Sequence, residues 1–160
     1  MNLIRPIALL LLLTGPAIAQ GQVDFGGLTQ DTSLPVEVTA DQLDVNQNDG
    51  SAVFNGNVLV TQGEMRLTAQ RILVNYAGQD LGRIQTLNAT GGVTLVNGAE
   101  AAESQEAVYD IDSGEVVMTG EVLLTQGQTA LSGNRLVIDL ETGTGRMEGR
   151  VRTIFEPSGQ

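Results

Sequence analysis

Two carboxylate-rich stretches are the first places to look for chemistry. Asp44-x-Asn46-x-Asn48-Asp49-Gly50 and Asp110-x-Asp112-x-Gly114-Glu115 carry oxygen donors at calcium-loop spacing. In the first, the glycine stands one place late, and the twelfth position is Asn55 where a bidentate Glu is needed. Gly50, Gly114 and Gly143 follow Asn46, Asp110 and Asp139 at equivalent places. Asp-Gly, Ser-Gly and Thr-Gly therefore read as turns, and no metal ligand is assigned. Glu103 and Glu106 have the residue types of a glycosidase pair, but nothing marks a pocket around them, so they read as solvated outer-face charges. Arg71 and Arg135 read as rim charges that aid solubility.

The missing residue types are as informative. The 160 residues contain no His, Cys, Lys or Trp. That removes Ser-His-Asp triads, Cys/His zinc sites, disulfides, Schiff bases and the P-loop lysine. A formal charge of −11 with 3% aromatics argues against a nucleic-acid partner, which needs a basic footprint and stacking platforms. No catalytic residue and no cofactor is assigned, and the chain is not read as an enzyme.

The elements that remain must therefore do their work by shape. Residues 1–19 read as a signal peptide: Arg5, an apolar run over 7–13, then Gly15-Pro16 and Ala17-Ile18-Ala19. Cleavage is expected after Ala19, delivering the chain outside the cytoplasmic membrane. Residues 20–34 are polar and glycine-rich without periodicity, and are expected to be a flexible arm. From Pro35 on, short runs with period two take over, such as Ala52-x-Phe54-x-Gly56-x-Val58-x-Val60, punctuated by glycine turns. The ordered domain is expected over 35–158, with a tail at 159–160.

The domain repeats. Thr39-Ala-Asp-Gln-Leu-Asp-Val-Asn46 aligns with copies starting at Thr68, Glu103 and Ser132, at steps of 29, 35 and 29 residues. A Gly-x-Val element interleaves at Gly56, Gly91, Gly120 and Gly149 in the first three copies as Val58, Val93 and Val122, and as Val151 in the last. The long step comes from six extra residues between Tyr76 and Leu87. A fixed period of this kind is one supersecondary unit stacked on copies of itself. Within a copy the apolar positions change phase: Val36, Val38 and Ala40, then Leu43 and Val45; Met65, Leu67 and Ala69, then Ile72 and Val74. A bulge or corner at the switch keeps them on one side of a bent strand. Each unit is thus a bent hairpin whose apolar side chains all point into one concave side, and four units make two facing sheets. The fold class is all-β.

Pro35-Val-Glu-Val-Thr-Ala-Asp-Gln-Leu, Val53-Phe-Asn-Gly-Asn-Val-Leu-Val-Thr-Gln-Gly63, Ala69-Gln-Arg-Ile-Leu-Val-Asn75 and Ile154-Phe-Glu-Pro-Ser158 resemble the OstA-like family over nearly all of 35–158. The resemblance implies an open, twisted β-jellyroll, here of four bent-hairpin repeats of about 29 residues. It also implies a periplasmic bridge that shelters lipopolysaccharide acyl chains and passes them from an inner-membrane complex to an outer-membrane translocon. The implied partners are lipopolysaccharide, LptC-like and LptD-like proteins with the same fold, and further copies of the chain joined end to end. Three departures stand out: the strongly acidic balance, the absence of Lys, and Glu100 where the repeat expects an inward apolar residue.

The expected lipid groove is the inward apolar set: Val38, Leu43, Val45, Phe54, Val58, Val60, Leu67, Ile72, Val74, Ala89, Val93, Leu95, Tyr109, Val116, Met118, Val122, Leu124, Leu131, Leu136, Ile138, Met147 and Val151. These are nearly all aliphatic, which leaves room for an apolar guest. An acyl chain of a dozen carbons gains on the order of 10 kcal/mol there, at ~0.8 kcal/mol per CH₂. The expected partner contacts are the two terminal edges, Val36, Glu37, Val38 and Thr39 at one end and Thr153, Ile154 and Phe155 at the other. The alternative function is a periplasmic β-scaffold that pairs with proteins through those edges and holds no lipid.

Overall fold

The computed structural model describes residues 23–24, 26–78 and 80–155. The expected signal peptide, the start of the arm and the tail lie outside the described residues. The elements are β1 (Val23–Asp24), a 3₁₀ turn (Gly26–Leu28), β2 (Glu37–Thr39), β3 (Gln42–Asn46), β4 (Ser51–Gln62), β5 (Met65–Ala77), β6 (Asp80–Asn97), β7 (Glu100–Asp110), β8 (Glu115–Gln126), β9 (Thr129–Asp139), β10 (Thr144–Glu148) and β11 (Arg152–Phe155). They form one antiparallel sheet in the order β1-β10-β9-β8-β7-β6-β5-β4-β2, with β3 also on β4 and β11 also on β9. The all-β stacked-hairpin architecture read from the repeat is the one observed.

The sheet is folded along a single crease. Its ladders break between Asn55 and Val58, Thr68 and Arg71, Thr90 and Val93, Glu103 and Glu106, and Thr119 and Val122. These breaks line up from strand to strand and divide the sheet into two facing layers. The first holds β3, β10 and the halves 51–55, 71–75, 86–90, 106–110, 115–119 and 135–139. The second holds β2, β11 and the halves 58–62, 65–68, 93–97, 100–103, 122–126 and 129–132.

The corner chemistry repeats as the sequence does. Gly56-Asn57, Gly91-Gly92, Gly120-Glu121 and Gly149-Arg150 all have positive φ, from 46° to 87°. In the even-numbered strands each pair stands opposite one residue of the neighbouring strand, so the strand turns the corner with one extra residue, and the pair Gly149-Arg150 stands in the link from β10 to β11. Opposite each leading glycine lies the third residue of the repeat: Asp41, Gln70, Gln105 or Asn134. A side chain on Gly91 would put its Cβ 2.7 Å from the Cβ of Gln70, so only glycine fits that approach. Odd-numbered strands shift the phase of their buried positions instead, as in β5, where Met65, Leu67 and Ala69 are followed by Ile72 and Val74.

The turns also follow the sequence reading. Gly50, Gly114 and Gly143 have φ of 64°, 68° and 68° at the outer ends of the first layer. Asp110 Oδ1 accepts the Ser113 N–H at 2.9 Å, and Asp139 Oδ1 accepts those of Glu141 and Thr142 at 2.9 and 3.0 Å. These carboxylates hold Asx turns.

Three expectations are corrected. The described part of the expected free arm is packed: Leu28 is fully buried, and 26–34 crosses the mouth between the layers. Not every apolar side chain faces inward, because Val53, Leu73, Val108, Val117 and Val137 form an apolar stripe over the outer face of the first layer. Asn88 interrupts it between Leu73 and Val108. Finally, the C-terminal edge is only partly open, since β1 pairs Val23 with Gly145 and Asp24 with Thr144 of β10.

Candidate functional site

The inner faces of the two layers meet in one apolar interior. Val58, Val60, Leu67, Ile72, Val74, Ala89, Val93, Leu95, Tyr109, Val116, Met118, Val122, Leu124, Leu136 and Ile138 are all fully buried in it, and Leu131 and Met147 nearly so. Cross-strand pairing sets them in continuous rows, such as Ile72 with Ala89, then Ala107, Met118 and Leu136. In this structure the layers are closed on each other, so the expected groove is a filled interior rather than an open slot.

The ends of that interior behave differently. Leu43 and Val45 lie on the inner face, opposite Phe54 and Ala52, yet stand 52% and 59% exposed. Val38 and Phe54 are half-buried. Val151, in the link before β11, is 50% exposed. These three exposed residues were expected as groove lining. Parity placed their faces, but β3 and β11 are terminal strands with no neighbour beyond them among the described residues to provide cover. At the expected partner edges, Glu37, Thr39, Thr153, Ile154 and Phe155 are exposed, Phe155 at 73%, while Val36 and Val38 pack against the core.

Several buried residues are absent from the expected groove lining. Ala52, Met65, Leu87, Ala102 and Ala107 share the parity of their strands and were available from it. Leu140 continues the parity of Leu136 and Ile138 just past β9 and was available in the same way, whereas Leu28 sits outside any alternating run and had no such signal.

The mouth opposite the crease is polar. The hairpin ends of the second layer bring Gln62, Asn97, Glu100 and Gln126 to it, with the first three buried. Tyr109, from the first layer, donates its hydroxyl to Gln62 Oε1 at 2.7 Å. This bond joins β7 to β4 across the interior, with two strands between them in the sheet. Burial pushes the Tyr109 hydroxyl up to about 12, so it stays a donor at every ordinary pH. Gln62 Nε2 donates to the carbonyls of Thr32 and Leu34, both at 2.9 Å. Asn97 Nδ2 donates to Thr29 O at 3.3 Å, and Gly27 N–H donates to Glu100 Oε1 at 3.3 Å. Gln126 Nε2 donates to the same Glu100 oxygen at 2.6 Å. Glu100, anomalous in the repeat, is thus explained as a receptor for the segment crossing the mouth.

The sequence and the fold match known proteins. Residues 37–144 match the family model of the LptA/(LptD N-terminal domain) LPS transport protein. An uncharacterized protein of Rhizobium meliloti is 26% identical over 117 residues, covering 67% of this chain and 61% of the relative. The lipopolysaccharide export system protein LptA of Escherichia coli K12 is 26% identical over 72 residues, 45% of this chain and 39% of LptA. The chain therefore spans less than two thirds of the length of either relative. The crystal structure of LptH, the LptA-homologous periplasmic component of lipopolysaccharide transport in Pseudomonas aeruginosa, superposes with a TM-score of 0.70 at 18% identity. That match covers 80% of this chain and 99% of LptH, and carries the fold. With a family match over more than half of its residues and the same folded sheet, this chain belongs to the LptA/(LptD N-terminal domain) family of lipopolysaccharide transport proteins.

Proposed function

We propose that this protein is a periplasmic carrier that shelters the acyl chains of lipopolysaccharide between its two layers and hands the lipid along a bridge. The observation that carries this reading is the inner face: it is aliphatic from β4 to β9, with Tyr109 the one aromatic among the fully buried large side chains of the described residues. Aliphatic packing is non-directional, so a chain of CH₂ groups can replace one set of contacts by another as it slides. Sugar and phosphate would stay in water, which reconciles an acidic protein with an anionic lipid. No catalytic step is assigned, and the carboxylates of Asp110 and Asp139 serve in turns.

A photocrosslinking side chain tests the reading. Placed at Met118, fully buried on the inner face, it should label lipopolysaccharide at least tenfold more than at Val117 on the outer face. Equal labelling would sink the assignment. The closed interior favours one competitor, a β-scaffold without a ligand. That reading wins if Met118 gives no lipid adduct while edge positions still capture partner proteins.

The bridge is proposed to form end to end, through β2 and β3 of one copy against β11 of the next, or against LptC-like and LptD-like partners. Both sites are terminal strands, and such edges accept a further strand by backbone pairing. A contact between unlike edges need not close, so it yields a rod. The −11 charge opposes it, and association should strengthen with salt. In an edge strand, successive N–H groups alternate between the inner neighbour and the outside. Of Ile154→Pro and Phe155→Pro, one should therefore leave β11 on β9 and weaken association about tenfold by light scattering, losing one ladder donor. If both variants associate as the parent does, the end-to-end model fails.

A further inference from the structure

Residues 27–34 form a strap over the mouth of the folded sheet, and it is tied to both banks. On the second-layer bank, Gln62, Asn97 and Glu100 hold it through the backbone of Leu34, Thr32, Thr29 and Gly27. On the first-layer bank, Gln30 N–H donates to Leu140 O at 2.8 Å, and Thr32 Oγ1 donates to Glu141 Oε1 at 3.3 Å. The strap therefore lies across the line along which a lipid would have to project its headgroup into water.

Its hold is slight. One large apolar side chain, Leu28, anchors it in the core, while Leu34 is 40% exposed. Closure also leaves Glu100 Oε2 buried with no hydrogen-bond partner among the described residues, although Oε1 takes two donors. Lifting the strap returns that oxygen to water and removes the desolvation cost of the closed state. The ladders of β4 to β9, by contrast, lose nothing when it lifts. Segments with few apolar contacts are the ones that open first.

We propose that the strap is a displaceable gate, and that acyl chains enter and leave sideways, between the layers, where it lies. This rests on the lipid-carrier reading. Leu28 is the closed state's substitute guest, an aliphatic side chain bedded in the same cluster that an acyl chain would contact. Gln62 couples the gate to the layers: its N–H₂ group holds the strap, and its oxygen holds Tyr109 of the opposite layer. Losing the strap removes the partners that orient that amide, so the bolt across the interior loosens with it. Sideways entry also leaves the terminal edges free for neighbouring copies, and a headgroup could pass along the mouth without the rod coming apart.

The test locks the gate in the full chain. The protein has no cysteine of its own, so Thr32→Cys with Glu141→Cys creates the only thiol pair, at side chains already in contact. The pair is closed by oxidation or by a two-carbon thiol crosslinker, and purified lipopolysaccharide is the probe. Bound lipid is read after gel filtration, and amide exchange is read at Gly27 and Gln30. The reduced pair should load as the parent does, with exchange at both amides rising at least tenfold on loading. The locked pair should load less than a tenth as fast, and reductant should restore it. Leu28→Ser should load faster than the parent. Equal loading of locked and reduced protein, or continued protection of Gly27 and Gln30 with lipid bound, overturns the gate and leaves the carrier reading standing. If the parent, the reduced pair and Leu28→Ser all fail to take lipid, the carrier reading falls and the gate with it.

Discussion

Replacing Val122 with Asp should cost about 4 kcal/mol of folding stability, because it places an unpaired carboxylate in the interior. Val122 is 1% exposed and sits on the inner face of β8, just past the corner. No arginine is among the buried residues of the described part, so the new charge would find no cation among them. A change of that size is a large share of the 5–15 kcal/mol typical of a domain, and it should appear as a marked fall in the denaturant midpoint. Met118→Leu, equally buried but similar in volume and apolar, should cost less than about 1.5 kcal/mol. If Val122→Asp unfolds at the same midpoint as the parent, the interior is wet. Loss of lipid binding in this variant would reflect the fold first, so the photocrosslinker at Met118 is the cleaner probe of the site.

The corner glycines should be nearly as sensitive, and unequally so. Gly120→Val is expected to cost about 3 kcal/mol or more, from strained φ and overpacking together. Gly120 has φ of 85°, and an added Cβ would lie 2.9 Å from the Cβ of Gln105. Gly92 has the same φ, 85°, with nothing within 4 Å of the added Cβ, so Gly92→Ala should cost only about 1 kcal/mol from backbone strain. Combining Gly120→Val with Gln105→Gly should recover the steric part but not the strain, a non-additivity that a double-mutant cycle would read. Equal costs at Gly92 and Gly120 would show that close approach across the corner is unimportant.

Much of the architecture was legible because the repeat states its own geometry four times. Gly56, Gly91, Gly120 and Gly149 mark corners, and Gly50, Gly114 and Gly143 mark turns, each for a backbone reason that a sequence shows. Parity placed Val58, Ile72 and Met118 correctly on the inner face. Parity assigns a face but not a cover, which is why Leu43, Val45 and Val151 came out exposed. It also says nothing about the opposite face when that face is apolar too, as at Val108 and Val117. The strap was illegible for a different reason. Its leucines, Leu28 and Leu34, stand six residues apart in a polar stretch with no period to reveal them, and the strap's partners Gln62 and Asn97 look like ordinary hairpin-end amides. Glu100 was visible as an anomaly, but the backbone N–H that explains it lies 73 residues away.

The corners also separate the two dimensions of the molecule. Depth from crease to mouth is set by half-strands of about five residues, roughly 17 Å, in every copy but the long one, whose β5–β6 hairpin runs on to Ala77 and Asp80. Length along the crease is set only by how many hairpins are stacked, each adding about 10 Å. The six extra residues of the long copy fall at the free end of β5 and β6, beyond Tyr76, and leave the corner at Gly91 aligned with the others. Such a body can lengthen by duplication of whole units while its cross-section stays constant, as an extruded profile does. Cross-section and span are then independent variables: the first is written into the length of the half-strands, the second into the copy number.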